Sequence, residues 1–93
     1  NPHWEHHLRP LNGLDAEVMD FLNNSVEVEQ MLGYIRDFLQ AWVPKFEQQN
    51  RYYLTISIGC TGGQHRSVYI AQQLFEYFRD RLDTVSIRHR ELE

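Results

Sequence analysis

The sequence predicts an α/β fold, a small parallel sheet built on one βαβ unit and covered by helices. Three observations carry this. Residues 54–58 and 84–89 alternate apolar and polar side chains with many β-branched residues, as half-buried strands do. The stretch between them carries Ala71, Leu74, Phe75, Phe78 and Leu82 at helical spacing. Strand, helix, strand with a helix of this length implies a parallel pair and a right-handed crossover.

Residues 1–14 read as irregular because Pro2, Pro10 and Gly13 interrupt any period, with Trp4 and Leu8 expected to pin the segment to the core. Asp15 is placed to cap a short helix burying Val18, Phe21 and Leu22, and Asn23-Asn24 ends it. Asn24 with Glu27 has the spacing of a capping box for the next helix. That helix repeats Val28, Met31, Leu32, Ile35, Phe38, Leu39, Trp42 and Phe46 with a period of about 3.6 residues, read as a core face. Pro44 is expected to kink or end it near Val43. A strand from Tyr52 to Ile58 follows, then a helix beginning at Arg66 or Ser67, then a strand from Thr84 to His89 with Val85 and Ile87 inward.

Ninety-three residues suffice for one domain with a modest core, and 42% hydrophobic content is that of a folded chain. No apolar run approaches a membrane span. The absence of an initiator Met before Asn1-Pro2 suggests a piece of a longer protein. One cysteine excludes an internal disulfide and fits a reducing cytoplasm. The net charge of −4 argues against strong nonspecific nucleic-acid binding, but the charge is uneven. Residues 1–50 hold three basic and eight acidic side chains, and residues 51–93 hold six and five. Anion chemistry therefore belongs in the second half.

The segment Gly59-Cys60-Thr61-Gly62-Gly63-Gln64-His65-Arg66-Ser67 joins the first predicted strand to its helix, where α/β folds bind ligands. Gly59, Gly62 and Gly63 would let the main chain approach a ligand closely. Loop amides and the helix start favour a negative charge. Arg66 adds a planar fork, Thr61 and Ser67 add hydroxyls, and His65 can donate or titrate. A phosphate site is the functional reading, and a tight glycine turn with an incidental arginine is the plain one. The loop lacks the lysine of a nucleotide P-loop and the spacing of a dinucleotide fingerprint.

The run from Cys60 to Arg66 and Ser67 also has the Cys-x5-Arg-Ser spacing of cysteine-dependent phosphatases, in which a thiolate attacks phosphorus. Gly59 stands where those enzymes carry His, and no general-acid Asp is evident. His3, His6 and His7 with Glu5 could suggest a metal, though the spacing matches no standard zinc pattern. Arg88, His89 and Arg90 could extend the anion site or touch an RNA backbone, and the plain reading is a solvated strand end.

Taken together, Asn1-Pro2-His3-Trp4, the run Leu8 to Asp15, the block Ile58 to Ala71 and the terminal Arg88-His89-Arg90 resemble the carboxyl-terminal domain of the RapZ/YvcJ proteins over essentially the whole chain. The resemblance implies a domain similar to a phosphofructokinase subdomain, spanning residues 1–93 of a longer bacterial cytoplasmic protein. An amino-terminal P-loop domain, absent here, would bind ATP or GTP, and no cofactor is expected in this piece. The domain would bind glucosamine-6-phosphate and small regulatory RNA and present the RNA to a ribonuclease, without catalysis of its own. Carried over by position, His3, Cys60, Thr61, Gly62, Gly63, His65, Arg66 and Ser67 would form the sugar-phosphate site. Arg66, Arg88 and Arg90 would contact RNA. The resemblance further implies an oligomer at full length and no membrane association. The chain departs from it by ending at Glu91-Leu92-Glu93 instead of a basic tail, and by having Gln64 where a lysine would add charge.

Overall fold

A computed structural model describes residues 1–48, 54–60, 64–82 and 84–92, without the side chains of His3 and Glu91. Its elements are α1 (Ala16–Asn23), α2 (Val26–Gln48) and α3 (Arg66–Phe78), with short 3-10 turns at Pro2–Trp4 and Arg90–Leu92. Each helix packs against the other two, and the first turn rests on α1. The molecule measures 47 × 28 × 22 Å. Its length reflects α2, whose 23 residues extend about 34 Å at 1.5 Å per residue.

Among the described residues there is no strand, so the expected α/β fold with its parallel sheet, crossover and phosphofructokinase-like architecture is corrected to a helical one. The reason is physical. Alternation reports which side chains can face a core, not whether a neighbouring strand supplies ladder hydrogen bonds, and a lone pair of strands is marginal in water. Leu54 and Ile56 stay exposed, and Ile58 packs against the helical core. Residues 84–89 keep their alternation, with Val85, Ile87 and His89 half-buried and Thr84, Ser86 and Arg88 exposed. This segment lies on the helices: Val85 packs on the core, and His89 Nε2 lies 3.2 Å from Gln72 Oε1 on α3. Tyr52 and Tyr53 of the first expected strand lie outside the described residues.

The helices form for the reasons their sequences suggest, with local changes. Asp15 occupies the N-cap position of α1, but its carboxylate accepts the Asn12 N–H at 2.8 Å instead of capping the helix. Asn24 closes α1, donating its side-chain amide to the Asp20 carbonyl at 2.8 Å. Ser25, not Asn24, caps α2, its hydroxyl accepting the Val28 N–H at 3.3 Å. Pro44 neither ends nor bounds α2, which runs on to Gln48. Near a helix end a proline removes only the N–H that would reach the carbonyl four residues back, and few turns remain to be disturbed.

Leu8, Val18, Leu22, Val28, Leu39, Val43, Tyr69, Ile70, Leu74 and Phe78 form the core. Val18 and Leu22 of α1 are among its most buried members, each contributing about 1.5–3 kcal/mol by burial. Leu8 pins the amino-terminal segment as expected. Trp4 does not, since it is 76% exposed, and Pro2 is buried in its place. Met31, Phe38 and Trp42 also depart from the expected core face and are exposed.

Candidate anion-binding site

The start of α3 is set by long-range contacts to the amino-terminal segment. His65 holds the N-cap position at φ −108° and ψ −82°, yet makes no side-chain cap. Its ring turns inward instead: it is 4% exposed, with Nε2 3.1 Å from the Leu8 carbonyl. The Gln64 amide donates to the carbonyls of Arg9 at 2.9 Å and Leu11 at 2.6 Å. The Gln64 carbonyl in turn accepts the Gly13 N–H at 2.9 Å.

Gly13 is required by this approach. A Cβ there would stand 2.5 Å from the His65 carbonyl oxygen, 2.5 Å from the Tyr69 nitrogen and 3.0 Å from the Val68 Cβ. At Gly59 a Cβ would meet nothing within 4 Å, so the steric argument for glycine applies at Gly13 and not there. Gly62 and Gly63, together with Thr61, lie outside the described residues.

On the other side of the helix start, the Ser67 N–H donates to Cys60 Sγ at 3.3 Å, and the Cys60 thiol lies 3.3 Å from the Ser67 hydroxyl. One of the otherwise unpaired first-turn amides is thereby engaged by sulfur. Ser67 is buried and Cys60 half-buried. Arg66 opens the helix, and its Nε is buried with no hydrogen-bond partner among the described residues. Buried donors are almost always paired, and an unmade bond here costs about 1–3 kcal/mol or more. Arg66 is the first residue of α3, at the positive end of the helix dipole, where an anion is favoured.

The structure thus brings Cys60, His65, Arg66 and Ser67 together. Of the remaining residues expected at the site, His3 falls in the first 3-10 turn with its side chain outside the description. Arg88 and Arg90 are exposed on either side of His89, which is tethered to Gln72. Gln72 lies six residues beyond Arg66, about 9 Å along the α3 axis. His6 and His7 are exposed, and among the described residues no three metal-ligating side chains converge. A groove of about 290 Å³ lined by Leu32, Arg36, Gln73, Leu74, Glu76 and Tyr77 lies between α2 and α3, away from Cys60.

Sequence reasoning missed Gln64 as a latch, because its partners are more than fifty residues away and no local pattern announces them. It also missed the buried Tyr69, whose hydroxyl donates to Glu29 Oε1 at 3.2 Å and lies 3.5 Å from Asn23 Oδ1. Burial first, then the Glu29 charge and its hydrogen bond, push the Tyr69 phenol up to about 12.

Fold and site together define a small helical domain with a buried arginine Nε, unpaired among the described residues, at a helix start beside a buried histidine. The family model of the RapZ C-terminal domain matches residues 1–93, and the chain belongs to that family. It is 57% identical over all 93 residues to a nucleotide-binding protein of Aliivibrio salmonicida (strain LFI1238), covering 33% of that protein. It is 55% identical, with the same coverage, to nucleotide-binding proteins of Shewanella halifaxensis (strain HAW-EB4) and Haemophilus influenzae (strain ATCC 51907 / DSM 11121 / KW20 / Rd). The chain spans about a third of the length of the curated relatives it matches. Among the described residues no helix is long and apolar enough to cross a membrane.

Proposed function

We propose that this domain is the ligand sensor of a two-domain cytoplasmic RNase adapter, binding glucosamine-6-phosphate at the start of α3. The observation that carries the reading is the buried Arg66 Nε without a partner among the described residues. A phosphate oxygen supplies the missing acceptor, and a charge-assisted hydrogen bond is roughly twice as strong as a neutral one. In this reading Thr61, Gly62, Gly63 and His3 also belong to the sugar-phosphate site, and Ser67 adds a hydroxyl. His65 and Cys60 hold the frame.

The domain makes and breaks no bond. Ligand occupancy alters how the protein offers small regulatory RNA to a ribonuclease, with Arg66, Arg88 and Arg90 touching the RNA backbone. ATP or GTP binds in the amino-terminal P-loop domain of the full protein, in keeping with relatives that are named nucleotide-binding proteins.

The test is an amide NMR titration with glucosamine-6-phosphate, against glucosamine and inorganic phosphate. Selective shifts at residues 60–67 with the sugar phosphate are expected. Equal shifts with inorganic phosphate reduce the site to a generic anion loop, and released phosphate replaces the sensor by a Cys60-dependent phosphatase. No shift in this segment rejects the site.

A further inference from the structure

Helices α2 and α3 are tied together by two tyrosines of α3. The Tyr69 hydroxyl donates to Glu29 Oε1 at 3.2 Å, and Tyr77 Oη accepts the Gln40 amide at 2.6 Å. From Tyr69 to Tyr77 the helix advances about 12 Å along its axis. Between the ties lies the groove of about 290 Å³. Leu32 of α2 and the buried Leu74 of α3 give it an apolar floor. Arg36 reaches it from α2, and Gln73 and Glu76 reach it from α3. The Tyr77 ring forms a wall, held in place by the Arg81 guanidinium 3.7 Å from its centre.

A guanidinium and a carboxylate thus line one small groove without neutralising each other. Among the described residues no ion pair within 4.0 Å joins Arg36 to Glu76. The one ion pair of Arg36 among them is to its neighbour Asp37, Nε to Oδ1 at 3.6 Å. Exposed pairs of this kind contribute little and yield readily to a better partner. Glu76 receives a long bond from Gln72 Nε2, 3.4 Å from its Oε1.

We propose that this groove binds a free α-amino acid with an apolar side chain, its carboxylate on Arg36, its ammonium on Glu76 and its side chain on Leu32 and Leu74. The proposal is independent of the ligand reading at the start of α3. Three properties select this ligand. Opposite charges on the two helices call for a zwitterion, since a plain anion would sit beside Glu76 and a plain amine beside Arg36, each with a like-charge cost. The planar fork of Arg36 can hold both carboxylate oxygens, and the Gln73 amide can donate to the carboxylate or accept from the ammonium. The floor favours an aliphatic side chain over a polar one. The volume lies near the lower limit of about 300 Å³ for small-molecule sites, which suits a ligand of amino-acid size.

An amide NMR titration of the 93-residue chain with L-leucine tests this, against isocaproate, which lacks the ammonium, isoamylamine, which lacks the carboxylate, glycine, which lacks the side chain, and N-acetyl-leucine. Saturable shifts centred on residues 32–36 and 73–77 are expected with L-leucine. Each analogue should bind at least about tenfold more weakly, the loss expected for one charge-assisted contact or an unfilled floor. Glu76→Gln should no longer distinguish L-leucine from isocaproate by more than about twofold, and Arg36→Gln should likewise fail to distinguish it from isoamylamine. Circular dichroism confirms that both variants are folded. Absence of shifts in the groove with L-leucine overturns the proposal. Isocaproate or N-acetyl-leucine binding as tightly as L-leucine replaces the free amino acid by an acyl or peptide carboxylate. Glycine binding as tightly removes the apolar floor from recognition, and folded variants that bind L-leucine as the parent does overturn the roles of Arg36 and Glu76.

Discussion

Replacing Gly13 by alanine should be far more damaging than the chemistry of one methyl suggests. The new Cβ would stand 2.5 Å from two backbone atoms, the His65 oxygen and the Tyr69 nitrogen. Both belong to the first turn of α3, where the Tyr69 N–H bonds the His65 carbonyl at 3.0 Å, so neither can yield alone. The amino-terminal segment must instead retreat by about half an ångström to one ångström, stretching the 2.9 Å bond from the Gly13 N–H to the Gln64 carbonyl. Overpacking costs about 1–3 kcal/mol and a weakened hydrogen bond about 0.5–1.5 kcal/mol. The loss of about 2–4 kcal/mol corresponds to a fall in Tm of about 10–25 °C for a chain of this size. The control is Gly33→Ala on α2, where the new Cβ would meet only the end of the Arg36 side chain at 3.7 Å. Alanine there should stabilise by about 0.5–1 kcal/mol, since it only reduces backbone freedom in a helix. Thermal unfolding of both variants by circular dichroism decides the matter. A Gly13→Ala chain melting within a few degrees of the parent would refute the close approach.

Three further outcomes are expected. Arg66→Ala should weaken glucosamine-6-phosphate binding by about 1.5–3 kcal/mol in a calorimetric titration while leaving the fold intact, and unchanged affinity removes Arg66 from the site. Gln64→Ala removes two bonds to the amino-terminal segment and should cost about 1–2 kcal/mol, with faster amide exchange at residues 8–13; unaltered exchange there contradicts the latch. The Tyr69 phenol, raised to about 12 from an ordinary 10.0, favours the folded state fully below pH 10, and that contribution is lost as pH rises from 10 toward 12. Urea unfolding across that window should show a shallower decline for Tyr69→Phe than for the parent, and identical slopes would mean the phenol is not buried against Glu29.

The helices were legible because their signals are local. Apolar spacing located α1, α2 and α3, and the Asn23-Asn24 break separates the first two as expected. What failed was non-local. The alternation at 54–58 and 84–89 is present in the structure only as a choice of which side chains face the helices, and a sheet requires partners that alternation does not encode. The α2 pattern mixed two faces about 90° apart, one covered by α1 and α3 and one open, and a period of about 3.6 residues cannot tell them apart. At the site, Arg66 stands out in sequence through its charge and glycine-rich setting. Gln64 reads as a missing lysine, yet its neutral amide is the group that two backbone carbonyls require. Gly13 was visible only as a turn former, because the atoms it makes room for lie more than fifty residues along the chain.

The ties between the amino-terminal segment and the start of α3 also impose an order in time. They join positions separated by 53, 55 and 57 residues, whereas the turns of α1 and α2 close over three or four. Closing so wide a loop is entropically slow, so local helices form first and this clasp last. On a ribosome adding 5–20 residues per second, residues 8–13 wait roughly 3–10 s for Gln64 and His65 to be made. During that interval Leu8 has no His65 ring beside its carbonyl, and the start of α3 does not yet exist. Assembly of the candidate anion site is therefore a late event in the life of each molecule, and a chain interrupted before α3 is a helical hairpin with an unmoored amino-terminal segment.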